Sequence, residues 1–80
     1  MIEYVLKTKN ITGENHKRAV IFYMAIRELN KKSPLGATRS ELYRYLNRRY
    51  HPDEISRILQ FLKYHNIVTT YDQTKWITLC

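Results

Sequence analysis

The sequence predicts an α+β fold in which three helices precede a C-terminal β-hairpin. Two patterns carry that expectation. Apolar residues recur at helical spacing in three blocks between positions 19 and 62. After them, Ile67-Val68-Thr69-Thr70-Tyr71 and Trp76-Ile77-Thr78-Leu79 are β-prone runs around the polar turn Asp72-Gln73-Thr74-Lys75. Composition sets the scale. Eighty residues make one domain (1–80, core 14–79), and 44% apolar content with only two glycines and two prolines is that of an ordered chain.

Taken in order, Tyr4-Val5-Leu6-Lys7-Thr8 favours an extended segment, and Thr12-Gly13 breaks it. The first helix is expected over residues 14–31. Ala19, Phe22, Tyr23, Ile26 and Leu29 follow the 3.6-residue period, and Ile21 and Ala25 widen the stripe beyond half the girth. Lys31-Lys32-Ser33-Pro34 ends it, with cations at the negative helix end and then a proline. Leu35-Gly36-Ala37 is a short connector.

Thr38 opens the second helix. Its hydroxyl can accept from the backbone three residues on, while Glu41 reaches back, a Thr-x-x-Glu box. Leu42, Tyr43 and Leu46 give the core face, and the helix is expected to end at residues 47–49. The third helix, residues 52–65, starts with Pro52, Asp53 and Glu54 at its positive end. Ile55, Ile58, Leu59 and Leu62 form its buried stripe, and His51 reads as a turn or capping residue. Asn66 suits the left-handed stop that follows. Phe61 and Tyr64 read as core edge or interface.

Charge narrows the function. The net charge is +7 with a pI near 9.8. The whole excess lies in residues 16–51, where Lys17, Arg18, Arg27, Lys31, Lys32, Arg39, Arg44, Arg48 and Arg49 face only Glu28 and Glu41. Concentrated positive charge points to a polyanionic partner. No stretch approaches the ~18 apolar residues of a membrane helix. Met1-Ile2-Glu3-Tyr4 lacks the basic and apolar parts of a signal peptide, so a cytoplasmic location is expected. A lone cysteine, Cys80, excludes an internal disulfide. His16, His51 and His65 have no metal-ligand spacing with it, and no phosphate loop or nucleophile elbow occurs. No enzyme, cofactor or metal is expected.

Ala37-Thr38-Arg39-Ser40-Glu41-Leu42, Ile55-Ser56-Arg57-Ile58-Leu59-Gln60-Phe61-Leu62 and Asn66-Ile67-Val68 together resemble the winged helix-turn-helix superfamily, especially its MarR-like regulators. They match the second helix, the recognition helix and the entry to the wing. Size, tyrosine content (seven residues) and basic balance also resemble small regulators of archaeal viruses and plasmids, which would place the protein in a host cytoplasm. The turn between Leu46 and Ile55 is about two residues longer than the family pattern, Asn66 replaces a typical glycine, and the wing is short.

The resemblance implies a sequence-specific transcriptional regulator that binds double-stranded DNA with residues 52–65 in the major groove. With the apolar stripe inward, Ser56, Arg57, Gln60 and Lys63 are the candidate base contacts; arginine suits guanine and glutamine suits adenine. Thr38, Arg39, Ser40, Arg44, Arg48, Arg49, Gln73, Thr74 and Lys75 are the candidate contacts to the DNA backbone. A homodimer is expected, paired through the segment near Tyr4 to Leu6 or the apolar girth of the first helix. Two alternatives stay open: a winged-helix protein-interaction module, and binding of single-stranded DNA or RNA through exposed aromatics.

Overall fold

The computed structural model describes residues 2–79. Four helices precede a two-stranded antiparallel hairpin: α1 (Ile2–Thr8), α2 (Gly13–Lys32), α3 (Arg39–Tyr45), α4 (Pro52–Tyr64), β1 (Val68–Tyr71) and β2 (Lys75–Thr78). The fold class is α+β, with one helix more than the sequence pattern indicates. Cys80 lies outside the described residues. Among them, no helix is long and apolar enough to cross a membrane.

The additional helix replaces the extended segment expected at residues 4–8. Ile2 and Leu6, one turn apart, are both buried, and Val5 packs at the edge of the core. Glu3 lies in the first turn and Lys7 in the last, matching the helix dipole. Burial on one face therefore overrides the β preference of Tyr4 and Val5.

Three helices end in the same way. At the ends of α1, α3 and α4, Asn10, Asn47 and Asn66 take φ values of 59°, 57° and 60°. In each case the next N–H reaches back to close a Schellman motif: Ile11 to Leu6 O (2.9 Å), Arg48 to Tyr43 O (3.0 Å) and Ile67 to Leu62 O (2.9 Å). Asparagine tolerates this left-handed position better than most residues. After α1 and α4 the motif seats an isoleucine in the core. After α3 the same place holds exposed Arg48, and α3 stops at Tyr45, short of the expected 47–49.

Both expected helix starts are built. At α3, Thr38 Oγ1 accepts from Glu41 N (3.1 Å) while Thr38 N donates to Glu41 Oε1 (2.8 Å). At α4, His51 Nδ1 accepts from Asp53 N (3.1 Å) and His51 N donates to Glu54 Oε1 (3.1 Å), so His51 is the cap. Thr12 stands at the α2 N-cap position without a side-chain cap bond.

The core is one cluster that gathers Leu6, Phe22, Ile26, Leu42, Ile55, Leu59, Leu62, Ile67, Val68 and Trp76 from every helix and both strands. No polar or charged side chain is buried among the described residues. Tyr50 closes one edge, its ring set edge-on to Phe22 at 5.0 Å.

The hairpin pairs Val68 with Thr78 and Tyr71 with Lys75. Its turn has no glycine, yet Asp72 and Gln73 are both at φ 59°, the left-handed backbone that primed hairpin turns use. The connector at residues 35–37 joins β2 through a single bridge: Ala37 N donates to Trp76 O (2.9 Å) and Trp76 N to Ala37 O (2.7 Å). Asn30 at the end of α2 adds a clamp, donating to Trp76 O and accepting from Thr78 N, both at 3.1 Å. The bridge requires Gly36, whose φ is +124°; a Cβ there would stand 2.5 Å from the Lys75 Cβ.

Candidate nucleic-acid interface

α4 buries Ile55, Ile58, Leu59 and Leu62 and turns Arg57, Gln60 and Lys63 to solvent, with Ser56 half-buried beside them. The four candidate base contacts thus share the outer half of one rigid helix. They do not share a flank. Ser56 faces the groove between α3 and α4, where Arg39 Nη1 donates to its Oγ at 3.3 Å. Arg57 faces the groove between α2 and α4, beside Arg18, Asn15 and Phe61. Gln60 and Lys63 stand on the exposed crest.

The α3 side is the more basic. Arg39, Ser40, Arg44 and Arg48 line it together with Tyr43 and Asp53. Arg49 is exposed but lines neither groove. Thr38 is committed locally: its hydroxyl and N–H both serve the cap with Glu41. That leaves Arg39 and Ser40 as the solvent-facing side chains of the turn. At the hairpin, Gln73 and Thr74 are exposed, whereas Lys75 is half-buried near Gly36, Thr38 and Glu41.

The two acids at the start of α4 have different roles. Glu54 is held by the His51 cap and forms part of the α2 flank. Asp53 points outward, 3.7 Å from His51 Nδ1. With Arg57 and Lys63 these acids leave α4 without net charge, so any attraction of a polyanion comes from the flanking arginines.

Arg18, Asn15 and Tyr43 also line these grooves but escaped the sequence reading as site residues. Arg18 lies one turn before buried Phe22, a spacing that points it toward the core-facing side of α2. Tyr64 is 81% exposed, not core edge, with its ring edge-on to His65 at 5.1 Å; Phe61 does pack on the core. Among the described residues, no group of three His, Cys, Asp or Glu side chains is arranged to hold a metal ion.

Comparison with family models, with curated proteins and with solved structures gives no match to this chain.

Proposed function

We propose that this chain is a winged helix-turn-helix domain that binds double-stranded DNA and acts as a sequence-specific transcriptional regulator. The observation that carries the reading is the outer half of α4, a polar crest on a firmly packed helix, flanked by Arg39, Arg44 and Arg48 on one side and Arg18 on the other. A helix of this width fits the major groove, and the flanking cations would meet the phosphates on either side. The single bridge at Ala37 and the hairpin support this reading, in which they would form the small sheet of a winged domain with Gln73 and Thr74 at its tip.

Within this reading, Arg57 and Gln60 read base edges. Ser56 is oriented by Arg39, and Lys63 contacts a base or an adjacent phosphate. Arg39, Ser40, Arg44 and Arg48 hold the backbone, with Arg49 and Lys75 adding longer-range attraction. The role is binding, not catalysis, and follows charge and shape.

Fluorescence anisotropy tests it with a random-sequence duplex of about 25 base pairs, enough for two half-sites, the matching single strand and an RNA. Preference for the duplex, lost steeply as salt rises, is the expected result. Equal or tighter binding to single strands would replace the proposal with base stacking on exposed tyrosines. No binding at low salt would replace it with a protein-docking role.

A further inference from the structure

The side of α2 opposite the core carries a pattern that the DNA reading leaves unused. Glu14, Lys17, Ile21, Met24, Glu28 and Lys31 are spaced 3, 4, 3, 4 and 3 residues apart, the a/d seam of a coiled coil. None is buried. Ile21 and Met24 are 41% and 45% exposed, neighbouring apolar side chains on one face at the middle of a 20-residue helix. Lys31 Nζ lies 2.9 Å from Glu28 Oε2, and that bond holds the Glu28 carboxyl below its ordinary range.

The seam is self-complementary in one arrangement only. When two copies of α2 run antiparallel about a two-fold axis between Ile21 and Met24, Ile21 meets the partner's Met24. Lys17 then meets the partner's Glu28, and Glu14 meets the partner's Lys31. Every layer joins an a position to a d position, as antiparallel packing requires. A parallel pair would set Glu14 on Glu14, Lys17 on Lys17, Glu28 on Glu28 and Lys31 on Lys31. Sliding the antiparallel pair by one heptad sets charges on Ile21 and Met24. Val20 and Arg27 flank the seam, so the aliphatic stem of Arg27 can cover Val20 of the other copy.

We propose that the outer face of α2 is a homodimer surface, and that its occupant is a second copy of this chain held antiparallel by Ile21 and Met24 and aligned by the Glu14–Lys31 and Lys17–Glu28 pairs. The apolar centre is small, so the dimer is weak and concentration-dependent, and its charged layers set direction more than strength. The proposal does not depend on DNA binding.

Sedimentation equilibrium of the full chain without DNA, up to about 1 mM to suit a weak interface, should show reversible dimerisation. Ile21→Lys should weaken it by at least about tenfold, since the two-fold axis repeats each change, with the helical circular dichroism unchanged. Direction is tested by inverting the seam with Glu14→Lys, Lys17→Glu, Glu28→Lys and Lys31→Glu together, which keeps the net charge and the Glu/Lys spacing within each helix. The inverted chain should pair with itself and refuse to pair with wild type in native mass spectrometry. A parallel dimer would instead prefer the mixed pair, and association through another surface would mix at random; either result overturns the proposal. So would a wild-type chain that stays monomeric throughout, or a dimer indifferent to Ile21→Lys.

Discussion

α2 and α4 each bury one side in the same core, and they differ in what they leave outside. α4, without net charge as a whole, shows solvent a polar crest bordered by arginines from neighbouring elements. α2 shows two apolar side chains framed by alternating charges of its own. A surface that depends on neighbours for its charge suits an extended anion crossing several elements. A surface whose charges cancel along one helix suits a copy of that helix.

The contrast between inner and outer faces is sharpest in stability. Leu59→Ala removes a fully buried side chain and should cost about 2–5 kcal/mol, whereas Ile21→Ala on the open side of α2 should stay within about 0.5 kcal/mol at concentrations where the chain is monomeric. Urea denaturation of both variants measures the difference. Similar costs would mean that Ile21 is packed in solution.

How much of this was legible beforehand depended on whether the signal was local. α4 was, because the Ile55, Ile58, Leu59, Leu62 stripe and the Pro52-Asp53-Glu54 start point to the same helix. The Thr38–Glu41 box lies within four residues, and His51, read as a turn or capping residue, proves to be the cap of α4 with Glu54 reaching back to it. α1 was not, since the burial of Ile2 and Leu6 comes from packing against α2, which no local preference encodes. The end of α3 was hidden because Leu46 continues the apolar rhythm past the helix, and Asn47 turns the chain one residue later. In the candidate interface the sequence could assign Ser56, Arg57, Gln60 and Lys63 to one outer half. It could not place Ser56 and Arg57 on opposite flanks, which depends on where α2 and α3 lie around α4.

That separation gives the next test. Arg57→Ala should cost about 1–3 kcal/mol on a selected site and less on random duplex, if Arg57 reads a base. Arg44→Ala should weaken both DNAs alike and lower the slope of log K against log salt by about 1. Anisotropy titrations across salt concentrations separate the two. Matching behaviour would merge crest and flank into one electrostatic surface.

A smaller effect is expected at the cap that positions the α3 flank. Thr38→Ala removes the acceptor for Glu41 N and should lower stability by about 1 kcal/mol by thermal denaturation. The smallest belongs to the end of α4, where Asn66→Gly should stabilise by a few tenths of a kcal/mol, because glycine takes the φ of 60° at no steric cost. A loss at Asn66 would show that its side chain has a role beyond tolerating the turn.

Trp76 is the single tryptophan of the chain, and it sits where the hairpin is fastened to the helices. Its side chain is buried, and its carbonyl accepts from both Ala37 and Asn30. The molecule thus has its own optical gauge of hairpin attachment. Release of β2 would bring the indole into water and shift its emission to longer wavelength, while the far-ultraviolet signal of the four helices reports separately. Fraying of the hairpin and melting of the helices can therefore be followed as two processes in the unlabelled protein.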